Sequence, residues 1–162
     1  MAVLQNIDLG TAAQYLDFVN LLAYDFCGSW THRTGHHAQL YAMNKDETSG
    51  AGAVHYLMVS GVPGKKILLG IPVFGRSFLH ATGPGQKFKG VGGEEGSFEY
   101  CDLPRRGTKE QVDKRSVAAQ CVGGDGGFVT YDNPETVKIK AQFCKQKGLG
   151  VSHTHTHTHP HS

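Results

Sequence analysis

Two near-continuous apolar runs, separated by a helical pattern and each breaking into polar residues, limit what this chain can fold into. The first, Leu21-Leu22-Ala23, ends in Tyr24-Asp25-Phe26; the second spans residues 66–74 and ends in Gly75-Arg76-Ser77. A strand covered on both faces reads as such a run, whereas a half-exposed strand alternates. Residues 17–25 are therefore expected to form a strand buried on both faces. Between the runs, Val54, Leu57 and Met58 mark one face of a helix over residues 52–60, stopped by Gly61 with Pro63 just beyond. Strand, helix and strand in this order make a right-handed βαβ unit, so the two strands are expected to be parallel, with Asp25 and Arg76 leaving at one rim.

The flanking segments carry equally local signals. Leu9, Ala12, Ala13 and Leu16 recur at helical spacing and predict a short helix ahead of the first strand. Residues 27–50 read as a polar loop holding Gly28-Ser29-Trp30 and Gly35-His36-His37, and loops of that length in compact domains are usually functional. Eleven of the 22 glycines fall between residues 81 and 131. A helix would lose about 1 kcal/mol at each of them relative to alanine, so this stretch is an insertion of loops and short strands. Within it, residues 120–122 and 128–131 flank a five-residue turn rich in glycine and predict a hairpin. Asn133-Pro134 opens a helix expected to run to Lys147, with Lys145 and Lys147 in its last turn and Gly148 as its left-handed cap. Residues 151–162 are a low-complexity His/Thr tail, expected to be disordered. Its alternating histidines offer a second reading, chelation of a divalent transition metal.

Composition narrows the function classes. At 162 residues the chain is one domain or a piece of one, short of the roughly 250 residues of a closed (β/α)₈ barrel. A net charge of +2 without a basic cluster interleaved with aromatics gives no groove for nucleic acid. No apolar stretch approaches the ~18 residues of a membrane span, and Met1 to Asn6 lack the charged and apolar regions of a signal peptide, so localisation stays open. Cys27, Cys101, Cys121 and Cys144 lack any paired spacing and read as ordinary reduced thiols. Gly83-Pro84-Gly85 and residues 123–127 lack the Lys-Ser/Thr ending of a phosphate loop and read as turns. No cofactor and no metal is implied by the rest of the chain.

Tyr24 and Asp25 at a strand end have two readings: they cap the next loop, or they form a polar rim. Arg76 at the same rim, with the aromatics Phe26, Trp30, Phe74 and Phe78 nearby, favours a cleft that stacks on a flat apolar face and hydrogen-bonds around its edge. Sugar rings are such ligands.

The sequence here resembles the glycoside hydrolase family 18 chitinases, most closely the fungal enzymes without a chitin-binding appendage. The matching text is Tyr15-Leu16-Asp17-Phe18-Val19-Asn20 leading into Leu22-Ala23-Tyr24-Asp25-Phe26, and Gly61-Val62-Pro63 ahead of Lys66-Ile67-Leu68-Leu69-Gly70-Ile71-Pro72-Val73-Phe74-Gly75-Arg76-Ser77-Phe78. Gly83-Pro84-Gly85, Phe98-Glu99-Tyr100, Asp102-Leu103-Pro104 and Val129-Thr130-Tyr131-Asp132-Asn133-Pro134 continue it. The resemblance implies an α/β fold, a partial (β/α)₈ TIM barrel. Residues 1–80 would hold strands six and seven, 81–131 an α+β insertion subdomain, and 132–150 the return helix, ahead of the 151–162 tail. It implies chitin or chito-oligosaccharides as partners, and endo-type cleavage of β-1,4-linked N-acetylglucosamine by a substrate-assisted, retaining route. Tyr24 and Asp25 would be catalytic, Tyr24 holding the acetamido group and Asp25 a sugar hydroxyl, while Arg76, Phe74, Trp30 and Phe26 would bind substrate.

Departures from the family pattern carry their own expectations. The acidic D-x-x-D-x-D-x-E motif of the fourth strand has no counterpart in this sequence, and Asp46-Glu47 and Glu94-Glu95 read as solvated loop charges. Leu22 stands where the family usually has methionine, and Phe74 where it usually has tyrosine. The expectation is a truncated form lacking the catalytic acid and the first five strands, with a tail reading as intronic or frame-shifted sequence. Its barrel edges would be exposed and open to self-association. The alternative is a non-catalytic, lectin-like fragment that binds chitin oligosaccharides.

Overall fold

The computed structural model describes residues 7–150 and the backbone of a short strand at His153–His155. Helix α1 (Leu9–Tyr15) starts where Asp8 accepts hydrogen bonds from the Thr11 amide and hydroxyl at 3.1 and 2.7 Å. It leads into strand β1 (Val19–Leu21), then a long loop, then helix α2 (Gly50–Val59), capped by Ser49 accepting from the Gly52 amide. Strand β2 (Ile67–Pro72) returns parallel to β1, with Val19 opposite Ile67 and Leu21 opposite Leu69. The apolar runs and the helix between them thus form the expected βαβ unit.

Two features of these runs differ from the sequence expectation. Only Val19–Leu21 of residues 17–25 is paired, and Phe18 and Leu22 are 59% and 55% exposed rather than buried. Among the described residues β1 is an edge strand with a partner on one side only; Val19 and Leu21 pack on the helical core, while Phe18, Asn20 and Leu22, alternating with them, are exposed. The second run is two strands rather than one: β2 ends at Pro72, and β3 (Phe74–Phe78) enters a different sheet. Proline cannot donate to a ladder and sits where pairing stops, so the chain changes sheet at Val73. Arg76 therefore stands on an antiparallel strand, and that sheet begins ahead of residue 81.

The second sheet has the order β4-β3-β7-β6-β5, all antiparallel, built from β3 with β4 (Ser97–Glu99), β5 (Gln111–Asp113), β6 (Ala118–Val122) and β7 (Phe128–Tyr131). The β6–β7 hairpin closes through residues 123–127 as the glycines predicted. Gly127 has φ +61, and a Cβ there would lie within 2.2 Å of the Phe78 carbonyl oxygen, so no other residue fits.

Helix α3 (Pro134–Gln146) follows, with a reciprocal cap in which Asn133 accepts from the Thr136 amide and the Thr136 hydroxyl accepts from the Asn133 amide. It ends at Lys147 and the left-handed Gly148, matching the local punctuation. Strand β8 (His153–His155) then pairs in parallel with Gly70–Pro72, so part of the expected tail continues the first sheet in the order β1-β2-β8. The metal-chelating reading of the tail concerns side chains outside the described residues, as does the leader reading of Met1 to Asn6.

One core packs α1, α2 and α3 onto the parallel sheet through Ala13, Val54, Leu57, Ile67, Leu69 and Phe143. A second lies on the antiparallel sheet around Ala119, Cys121, Val129 and Tyr131. Each fully buried large side chain contributes roughly 1.5–3 kcal/mol. The loop over residues 27–50 has no helix or strand before Gly50, yet His36, His37, Ala38 and Leu40 in its middle are buried.

Candidate active site

Immediately past β1 the chain turns, with the Ala23 amide donating to the Leu21 carbonyl, and Asp25 adopts a left-handed conformation at φ +61. Aspartate is among the few side chains that tolerate this region. Both amides of the turn donate to one residue of the long loop: the Asp25 N–H to His37 Nδ1 at 3.3 Å and the Phe26 N–H to the His37 carbonyl at 3.0 Å.

The change of sheet at Val73 carries Arg76 up to this turn. Its Nε donates to Asp25 Oδ1 at 2.8 Å, and its Nη1 donates to the Ser97 hydroxyl at 3.0 Å across the β3–β4 register. The guanidinium also lies 5.2 Å from the ring centres of Trp30 and Phe74, within cation–π range. Tyr24 meets Phe74 edge to face with centroids 5.7 Å apart. Trp30, 58% exposed, folds over Gly28, where a Cβ would come within 2.3 Å of the indole.

Tyr24, Asp25, Trp30, Phe74 and Arg76 therefore meet in one cluster. Phe26 does not join it: its side chain packs against the core beneath the parallel sheet. Sequence reasoning missed His37 and Ser97. The Gly35-His36-His37 triplet directly after the strand was the available signal for the first; the second depends on a strand register no local pattern carries.

Electrostatics fix the protonation of the cluster. Burial opposes ionisation of Asp25, but the hydrogen bond and positive charge of the Arg76 guanidinium outweigh it and hold the carboxyl at about 2. Burial first, and the Asp25 charge second, push the Tyr24 phenol up, so it remains a proton-bearing donor. Burial also lowers His37, which is 0% exposed, and takes His36 down to about 4. Both rings are neutral at ordinary pH. His36 Nδ1 lies 3.0 Å from the Thr130 hydroxyl. Behind the histidines a buried ion pair, Lys140 Nζ to Asp132 Oδ2 at 2.8 Å, also gives a hydrogen bond to the Ala38 carbonyl at 2.6 Å.

An ionised carboxylate, a phenolic donor, a fixed cation and aromatic faces suit a neutral polyhydroxylated ring better than a charged ligand. Such a ring offers C–H faces to the electron-rich aromatic surface and hydroxyls to the polar rim. Among the described residues no group of three or more His, Cys, Asp and Glu side chains is arranged to hold a metal ion, and no helix is long and apolar enough to cross a membrane.

Residues 2–156 match the model described as Glycosyl hydrolases family 18. The chain belongs to that family. Endochitinase 1 of Metarhizium robertsii is 38% identical over 156 residues, covering 90% of this chain and 36% of that protein. A family 18 chitinase from Cycas revoluta, solved in complex with (GlcNAc)3, superposes with TM-score 0.80 at 33% identity, covering 89% of this chain and 43% of that one. A chitinase of Trichuris suis gives TM-score 0.84 at 30% identity over 92% of this chain and 45% of its own. These family 18 neighbours are TIM-barrel enzymes, and this chain shows the mixed helix and sheet of part of such a barrel. The chain spans about a third of the length of the curated family 18 relatives it matches.

Proposed function

We propose that the Tyr24–Asp25–Arg76 cluster, with Trp30 and Phe74, binds an N-acetylglucosamine unit of chitin or a chito-oligosaccharide, within a chitinase that cleaves β-1,4 linkages internally. The observation that carries this reading is the 2.8 Å Asp25–Arg76 ion pair beyond β1, flanked by Tyr24, the exposed Trp30 ring and the buried Phe74 ring beneath. It is supported by the (GlcNAc)3 complex of the Cycas revoluta enzyme. In the substrate-assisted route the acetamido oxygen of the sugar attacks its own anomeric carbon, the glycosidic C–O bond breaks, and a glutamic acid protonates the leaving oxygen. Tyr24 donates a hydrogen bond to the acetamido group and Asp25 accepts one from a sugar hydroxyl; holding the attack geometry this way supplies several kcal/mol of the barrier.

In this reading residues 1–80 hold barrel strands six and seven, 81–131 form the insertion that walls the groove, 132–150 supply the return helix, and His153–His155 follow as a strand beside β2. The acid belongs to a D-x-x-D-x-D-x-E segment that this sequence does not contain. A general acid contributes about 10² to 10⁴-fold, so this chain alone binds sugar and hydrolyses it weakly or not at all. The absent motif equally favours the second reading, a non-catalytic chito-oligosaccharide-binding fragment. Exposed Phe18 and Leu22, which flank the edge strand β1, and exposed Tyr15 and Leu16 at the end of α1 support self-association through that edge.

Calorimetric titration with chitotriose tests the site. Saturable binding that falls at least tenfold in Tyr24→Phe and in Trp30→Ala is expected; no binding, or binding indifferent to both changes, overturns it. A chitotriose reporter assay separates the two readings, and turnover by the pure chain would require an acid among its own residues. Sedimentation at increasing concentration checks the edge: a strictly monomeric chain would count against self-association.

A further inference from the structure

We propose that His37 is a positioning residue for Asp25, acting as a two-point template for the turn on which the site depends. Asp25 is held at φ +61, a left-handed conformation that aspartate tolerates better than most residues but that still costs free energy its surroundings must supply. Both backbone donors of that turn, the Asp25 and Phe26 amides, end on His37, one on the ring and one on the carbonyl. The same Nδ1 lies 3.6 Å from Asp25 Oδ1, so the ring faces the carboxylate as well as the backbone that carries it.

His37 can serve as a template because it is fully buried and held by its neighbours. Its side chain is 0% exposed, its ring lies 5.3 Å from that of Phe74, and the next residue, Ala38, is tied through its carbonyl to Lys140 on α3. Arg76 restrains the carboxylate from the opposite sheet; His37 restrains the main chain beneath it. Without the ring nitrogen the Asp25 amide loses its bond to His37 and only the Phe26 bond ties the turn to the long loop, so Asp25 is free to relax toward ordinary backbone angles that withdraw the carboxylate from Arg76. This rests on reading Asp25 as a sugar contact, but the turn geometry can be measured without sugar.

The test compares His37→Asn, His37→Gln and His37→Leu in the full chain. The asparagine amide falls near the position of Nδ1, the glutamine amide near Nε2, and leucine removes both. Two readouts are taken: chitotriose affinity by calorimetry, and hydrogen-exchange protection of the Asp25 amide by NMR without ligand. Asn is expected within about threefold of the parent in both, while Gln and Leu lose tenfold or more in affinity and lose the protection. Equal behaviour of Asn and Gln, or unchanged protection in Leu, overturns the proposal. Should Leu fail to fold, the comparison of the two amides decides. If the parent chain does not bind chitotriose, the sugar reading of Asp25 fails while the protection pattern still decides the role of His37.

Discussion

Replacing Lys140 by methionine keeps most of its volume and removes its charge from a site where both partners are buried. The parent ammonium donates to Asp132 Oδ2 at 2.8 Å and to the Ala38 carbonyl at 2.6 Å, while Asp132 Oδ1 accepts from the Thr136 hydroxyl at 2.7 Å. The variant leaves a carboxylate 4% exposed with one neutral donor and no cation among these contacts. Removing one partner of a buried pair costs about 3–5 kcal/mol, against a total stability of roughly 5–15 kcal/mol for a domain. With a urea slope near 2 kcal/mol/M, a 4 kcal/mol loss lowers the midpoint by about 2 M. The double variant Lys140→Met/Asp132→Asn neutralises the stranded charge yet keeps an acceptor for Thr136, so it should be more stable than Lys140→Met alone. Urea unfolding followed by circular dichroism measures both. A loss below 1 kcal/mol in the single variant, or a double variant less stable than it, would refute the argument that stranded charge sets the cost.

Three further outcomes are expected. His36, held at about 4 against an ordinary 6.5, is neutral in the fold while the unfolded chain takes up a proton below 6.5. Its contribution, about 3 kcal/mol, is therefore complete above pH 6.5 and lost as pH falls toward 4; His36→Gln should flatten part of that slope in urea midpoints read at pH 7.5 and 4.5. Arg76→Met should raise the Asp25 carboxyl from about 2 toward its ordinary 3.8, read by carbon NMR titration; because the Asp25 carboxyl is depressed, its stabilising effect is present above 3.8 and lost as pH falls to about 2, and an unmoved titration would disprove the role of Arg76. Gly28→Ala must push the exposed indole of Trp30 aside, so thermal stability should change by less than about 1 kcal/mol while chitotriose affinity drops roughly tenfold; unchanged affinity would remove Trp30 from the site.

What the sequence made legible was chiefly local. The cap of α3 is written in Asn133-Pro134 and Gly148, and its geometry follows from those residues alone. The parallel pairing of β1 with β2 followed from apolar runs on either side of a helical period. The length of β1 did not, because an apolar run records which residues favour burial and not whether a neighbour is present to bury them; Phe18 and Leu22 remain half in solvent for that reason. Proximity in sequence places Phe26 with the rim aromatics, whereas its ring packs against the core of the parallel sheet, a choice of face that no local pattern records. His37 was visible only as part of a polar loop, since its contact with Asp25 spans a segment with no periodicity to report it.

The division of the second run at Val73 has the largest consequence for the site. A single continuous strand would have kept Arg76 in the parallel sheet, in register with the strand that presents Asp25. Because β3 pairs instead with β4 and β7, the cation is set by the antiparallel register, Arg76 opposite Ser97 on one side and Thr130 on the other. The carboxylate is set by the end of β1 and by His37. The Asp25–Arg76 pair is thus a joint between two sheets, each with its own core, and its 2.8 Å contact requires both to be in place. The groups that aim Asp25 and Arg76 come from the long loop, from α3 and from the antiparallel sheet, so the geometry of the pair is set by elements other than the partner β1 lacks on its open edge.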